Sequence, residues 1–412
     1  MKTKRLLSVT ILLLAALTIY ANPRSKQAIA KAAAEVLNSS TNNNRIKRSP
    51  RKDKLVELQS NDVVTIMGYQ SGGYAIIGND DRLPLVIGYS TNSKFMKDSN
   101  TSFDWYLEVI SDSIKQAINL NKNISQQKSN KKVYNAIGPF LKSQWGQGKP
   151  FNDLCPIMDS LGTRALTGCV ATAMAQIIYY NKYPKEGKGA QDLYYWREDN
   201  HSKIYIGRSF NGTFYNYSQM KDDYSGDYDD KEANAVATLM RDCGIAAKMS
   251  YGSTSSGAYI IDAYNALKQN FRYSDSLQLV KKVDFEEDDW SNAIYAELNE
   301  GRVILYKGSS GKESHAFVLD GYDAKGYIHI NWGWDGWNNG FYDLSLIPYS
   351  KSTEMIIGNN NHIVNKDVAS INVVYKMAKN NTSENRFNIL GQKVSNDYKG
   401  IIIYKGKKYF NK

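Results

Sequence analysis

The stretch TGCVATAMAQIIYY, residues 167–180, decides how the rest of the chain is read. Cys169 follows a glycine and opens a run of small and apolar residues, VATAMAQIIYYNKYP, patterned as a buried helix. At the first turn of a helix, unpaired N–H groups and the positive end of the dipole favour thiolate over thiol. Gly168 permits a tight entry into the helix, and Ala171, Thr172, Ala173 and Ala175 let other backbone approach closely. The segment alone leaves two readings open, because cysteine is also a common small residue of apolar cores.

A nucleophilic thiol needs a base, and the chain has only four histidines. His315, in SHAFVLDGYD, follows the Gly- and Ser-rich loop KGSSGKES, which puts its ring at a strand mouth within reach of solvent. His329, in IHINW, reads as a structural strand residue, and His201 and His362 lie in polar stretches. Cys169 and His315 are 146 residues apart, within the roughly 130–150 that separate a papain-type cysteine from its downstream histidine and asparagine. Asn331 lies 16 residues beyond His315, where an amide could orient the imidazole, with Trp332 beside it to exclude water. Without that spacing, INWGWDGWNNGFYDL is an aromatic-rich hairpin with glycine turns.

Outward from these residues, 412 residues at 42% hydrophobic content are enough for two or three packed domains. MKTKR, the apolar run LLSVTILLLAALTIYA, and Asn22-Pro23 have the layout of a secretory signal over residues 1–21, too short for a stable membrane span and ending at Ala21. Three cysteines, Cys155, Cys169 and Cys243, leave at least one thiol unpaired and make no disulfide framework. The net charge of +11 is concentrated away from the middle of the chain. RIKRSPRKDK (45–54) carries six basic residues and one acidic, and the tail from Asn385 carries seven and one. Charge therefore gives no reason to expect a nucleic-acid partner.

SKQAIAKAAAEVLN predicts a short helix capped by Ser25. VVTIMGYQSGGYAIIGNDDRLPLVIGYS predicts an antiparallel meander, and FDWYLEVISDSIKQAINL (103–120) a second helix with an apolar stripe. Residues 25–120 then make a compact α/β unit of their own, and the polar NKNISQQKSNKK (121–132) a cleavable linker. Downstream, helices over 169–182 and in DKEANAVATLMRDCGIAAKMS precede the strands RVILYKG, HAFVLDGYD, GYIHINWGW, GFYDLSLI and SINVVYKMA. Helices first and antiparallel strands later give an α+β domain. Asp323 to Gly326 form a short hairpin connection. The final segment follows a polar linker and is too short to hold a core alone. HExxH and CxxC spacings are absent, so no metal and no other cofactor is expected.

With these residues in place the chain resembles the streptopain family of papain-like cysteine peptidases. The resemblance rests on WGQGKPFNDLCP, TGCVATAMAQIIYYNKYP, LMRDCGIAAKMSYGS, SHAFVLDGYD and HINWGWDGWNNGFYDL, and on GGYAIIGNDDRLPLVIGYS in the N-terminal part, which is similar to the family's inhibitory propeptide. It implies an inhibitory prodomain over 22–130, after the signal over 1–21, and a papain-like α+β catalytic domain over 131–377; the linker and tail over 378–412 carry ILGQKVSNDYKGIIIYKGKK, which is similar to short C-terminal sorting segments that direct Bacteroidetes proteins to an outer-membrane secretion route. It implies a secreted cysteine endopeptidase zymogen acting on proteins and peptides, with its own propeptide as intramolecular inhibitor. Cys169 corresponds to the nucleophile and His315 to the general base, with Asn331 and Trp332 in the block that supports the histidine. The glutamine that papain-like enzymes often carry a few residues before the cysteine is missing from GTRALTG, so Gln147, in WGQGKPFN, becomes the candidate oxyanion donor beside the Cys169 N–H. Cys155 and Cys243 are expected in the core. Two other classes fit less well: a non-catalytic adhesion protein on the same fold, and an amidase or transferase acting on cell-wall peptides.

Overall fold

The computed structural model describes residues 23–39, 53–97, 102–120, 134–285, 287–310, 313–347, 350 and 352–358, together with strand residues 386–388, 393–394, 400–404 and 407–411. The leader, the linker over 121–132, His362 and the strand expected over 370–378 lie outside them.

Helix α1 (Lys26–Ser39) forms where alanines coincide with a helical apolar stripe, and the Ser25 hydroxyl accepts the Ala28 N–H at 3.2 Å, as a cap should. Its Ile29, Ala33 and Leu37 pack on Met67, Ala75, Ile77 and Tyr89. Those residues line one face of the meander of β1 (Val56–Ser60), β2 (Val64–Gly68), β3 (Tyr74–Gly78) and β4 (Val86–Ser90). Alternation turns Val64, Ile66, Tyr74 and Ile76 to the other face, and a break in the β3–β4 register between Gly88 and Val86 adds Ile87, all under Phe103, Tyr106, Ile110 and Ile114 of α2 (Ser102–Asn119).

The larger part of the chain is α+β, as its element order predicts. Its helical half holds α3 (Cys169–Asn181), the ribbon of β5 (Ala190–Trp196) and β6 (Lys203–Ser209), α4 (Asp230–Ala246) and α5 (Ile260–Gln269). Asp229 starts α4 with a capping box, its carboxylate accepting the Lys231 and Glu232 N–H groups while Glu232 accepts the Asp229 N–H. The β half comprises β7 (Gln278–Lys281), α6 (Glu287–Asn299), β8 (Ile304–Ser309), β9 (Ser314–Tyr322), β10 (Ile328–Asn331), β11 (Gly340–Tyr342) and β12 (Glu354–Ile357). The apolar run after Cys169 lies between the halves, where Ala171, Ala173, Met174 and Ile178 share one core with Val236 and Met240 of α4 and with Ala316 and Val318 of β9.

Two expectations need correction. The meander does not stand apart: one ten-stranded sheet runs β1-β2-β3-β4-β11-β10-β9-β8-β12-β7. At its joint β4 pairs antiparallel with β11, Phe341 opposite Tyr89 and Tyr342 opposite Gly88. Glycine is needed at 88, because a Cβ there would stand 2.4 Å from Cδ1 of Tyr342. A strand's alternating pattern says which face is buried but not which edge it meets. In addition, GFYDLSLI is a strand only over Gly340–Tyr342, since the Asp343 carboxylate accepts the Ser345 N–H and turns the chain into a short 3₁₀ segment. The tail, given no structure from its sequence, forms a separate antiparallel sheet of β13 (Arg386–Asn388), β14 (Lys393–Val394), β15 (Gly400–Tyr404) and β16 (Lys407–Asn411).

Candidate active site

Cys169 is the first residue of α3, and Gly168 before it has φ 85°, a conformation that glycine adopts without strain. A Cβ at 168 would also meet Met249 Sδ at 2.8 Å. Cys169 is partly exposed and packs on the core that holds Ala316 of β9, whose backbone N–H, with those of Val170 and Cys169, favours the thiolate. The thiol therefore abuts the strand that carries His315. Loss of solvation outweighs these donors and pushes the thiol above its ordinary value. The helix start alone predicts a lowered thiol pKa; burial reverses that in this state.

His315 is the second residue of β9, half-buried at the strand mouth. Its Nδ1 lies 3.5 Å from the Ser102 hydroxyl, and its ring stands 5.6 Å from the Trp105 indole, centroid to centroid. Both contacts come from α2. Trp105 reaches the imidazole because Gly308 pairs with His315 across the β8–β9 ladder and has no side chain: a Cβ there would lie 2.3 Å from the indole. Burial pushes the imidazole pKa down, with Glu313 opposing, so the ring is biased toward its neutral form. Among the described residues His315 makes no hydrogen bond to Cys169, Asn331 or Trp332.

Asn331 ends β10, opposite Val318, three positions along β9 from His315. At about 3.4 Å of rise per residue, that is about 10 Å from the histidine along the strand. Its amide is engaged elsewhere. Oδ1 accepts from Gln176 Nε2 at 3.1 Å and from the Gly333 N–H at 3.0 Å, while Nδ2 donates to the Ser143 carbonyl at 2.8 Å. Gln176 Oε1 in turn accepts from the Ser143 hydroxyl at 2.9 Å. This buried network ties α3 to the β10 end and to the segment leading into WGQG. Trp332 is buried between Phe317 of β9 and Phe103 and Tyr106 of α2, with centroids 4.8, 5.8 and 5.6 Å away. The Trp332 backbone N–H donates to Asn339 Oδ1 at 2.9 Å.

Gln147 is buried, and its carbonyl accepts the Thr167 N–H at 3.1 Å, which holds its loop against the residues just before Cys169. The N-terminal part covers the other side of the Trp332 turn: Asn338 accepts the Met96 N–H at 2.9 Å and donates to the Met96 carbonyl at 3.2 Å. Ser102, Trp105, Gln176 and Ser143 were not singled out from sequence. Each is an ordinary helix or loop residue whose role depends on a partner far away in the chain; only the i, i+7 spacing of Cys169 and Gln176 places those two on one helix face.

The remaining candidates fall outside the site. Cys155 and Cys243 are core thiols, as expected, and burial pushes Cys155 up to about 12. His329 lies 2.5 Å from the buried carboxylate of Asp320 on the neighbouring strand, a structural pairing consistent with its expected role. His201 sits exposed in the β5–β6 turn at φ 55°.

Comparison with known proteins brings in three relatives. Residues 145–342 match the peptidase C10 family, and residues 21–118 match the Spi protease inhibitor family. Over 295 residues the chain is 31% identical to streptopain of Streptococcus pyogenes, covering 68% of this chain and 74% of that protein. It is 32% identical over 320 residues to the thiol protease/hemagglutinin PrtT of Porphyromonas gingivalis, 70% of this chain and 36% of that one. Its structure resembles a prointerpain A fragment from Prevotella intermedia with TM-score 0.67 and 35% identity, covering 75% of this chain and 99% of the fragment.

Proposed function

Because the chain belongs to the peptidase C10 family of papain-like cysteine endopeptidases, with an inhibitor-like region ahead of the catalytic part, we propose that it is a secreted zymogen. In this reading Cys169 is the nucleophile and α2 restrains His315 until residues up to about 130 are removed. The observation that carries it is the seating of His315 against Ser102 and Trp105, on the strand whose next residue, Ala316, belongs to the core that Cys169 packs against.

In the processed enzyme His315, freed from α2, takes the thiol proton, and the resulting thiolate attacks a peptide carbonyl. The developing oxyanion is met by the Cys169 N–H and the Gln147 side chain. As the C–N bond breaks, the imidazolium gives its proton to the leaving amine and a thioester remains. His315 then deprotonates water, which attacks the thioester and returns the cysteine as thiol. Trp332 shields the histidine, and Asn331 holds the turn that carries Trp332. Residues 1–21 act as the export signal, 22–130 as the prodomain, 131–377 as the catalytic domain and 378–412 as linker and sorting tail.

The test is casein hydrolysis by the full-length chain after proteolytic activation, beside its Cys169→Ala and His315→Ala forms. Activity that both substitutions abolish supports the reading. Activity that survives Cys169→Ala, or cleavage of peptidoglycan peptides but not of denatured protein, overturns it.

A further inference from the structure

The turn after Trp332 carries a carboxylate that the mechanism does not use. Gly333 rests on the first turn of α3, where a Cβ would come 3.0 Å from Thr172 Cγ2. Two residues on, the Asp335 N–H bonds the Trp145 carbonyl at 3.2 Å. Its carboxylate lies flat over Gly146, so close that a Cβ at 146 would be 2.3 Å from Oδ1. Gly146 precedes Gln147, and the Gln147 carbonyl is bonded two residues before Cys169. Asp335 therefore stands beside the Gly146–Gln147 loop that is tied to the residues just before Cys169, held there by a backbone bond and a left-handed φ of 50°, unusual for a non-glycine residue.

Among the described residues this carboxylate accepts no hydrogen bond and has no ion-pair partner, in a chain of net charge +11. Reduced solvation, then the like charge of Asp223, push it up to about 6. Asp335 is exposed, so its carboxylate is open to a cationic group that a ligand brings.

We infer that Asp335 is a specificity residue, selecting peptide substrates with a lysine or arginine side chain close to the scissile bond. This rests on the proposed cysteine-peptidase reading of the site. The ion pair would form at the open rim, where an interaction of about 1.4 kcal/mol corresponds to about tenfold in kcat/KM.

The experiment scans fluorogenic peptides carrying lysine, or its neutral counterpart norleucine, at each of three positions on either side of the cleaved bond, using the full-length chain after activation. At one position the lysine-to-norleucine ratio of kcat/KM is expected to be about tenfold, carried mainly by KM and reduced by added salt. Asp335→Asn is expected to bring it within about twofold of unity, Asp335→Lys to favour glutamate there instead, and Asp335→Glu to keep much of the preference. A ratio near unity at every position, or one that Asp335→Asn leaves in place, overturns the inference. Failure of the unsubstituted enzyme to cleave any peptide counts instead against the proposed function.

Discussion

At Cys169 two opposing influences meet. The start of α3 and the Ala316 N–H favour thiolate, and burial favours thiol more strongly. The precursor's alkylation rate is therefore expected to keep rising to pH values above the ordinary thiol pKa, whereas activated enzyme, its cleft open to water and imidazole, should react fully at neutral pH. Iodoacetamide rate–pH profiles of the two forms check this; coincident profiles count against it. Asn331 is a different case. Asn331→Ala removes an amide that makes three hydrogen bonds and leaves the Ser143 carbonyl and Gln176 without their partner. Urea unfolding of the precursor should show a loss of about 2–4 kcal/mol. Sequence spacing singled out the thiol and the imidazole, because their chemistry is intrinsic to the side chains. It could not tell that Asn331 bonds Gln176 and Ser143 in this state, since an amide's partner is set by whichever buried donors and acceptors the fold delivers.

Among the elements, α2 and β4 connect the inhibitor-like region to the site. Trp105 fills the space left by Gly308 and touches the His315 ring. Trp105→Ala should cost about 3–5 kcal/mol of packing and raise casein hydrolysis by the uncleaved precursor at least tenfold. Gly88→Val should act at the other contact by forcing a side chain into Tyr342 and opening the β4–β11 pairing. Unchanged precursor activity in both variants would mean that α2 does not restrain the histidine. The existence of α1, α2, α3 and α4 was legible from apolar periodicity, and the hairpin between β9 and β10 from its Asp and Gly residues. β12, four residues between turn-forming neighbours, is too short to announce itself. The β4–β11 joint was not legible either, because a strand pattern specifies a buried face and leaves the partner to topology.

On the scale of the whole molecule, one continuous sheet joins the N-terminal region to the strands that carry His315 and Asn331. None of the helices among the described residues is long and apolar enough to cross a membrane. In the proposed function one chain carries both a cysteine nucleophile and the element that restrains its base. The most direct measurement is the initial rate of casein hydrolysis by the same preparation before and after cleavage in the 121–132 linker, with Cys169→Ala alongside. The uncleaved chain is expected to be at least a hundredfold slower, on the order of what loss of a general base costs, and the variant inactive in either form. Equal rates before and after cleavage, or hydrolysis by Cys169→Ala, would contradict the proposed function.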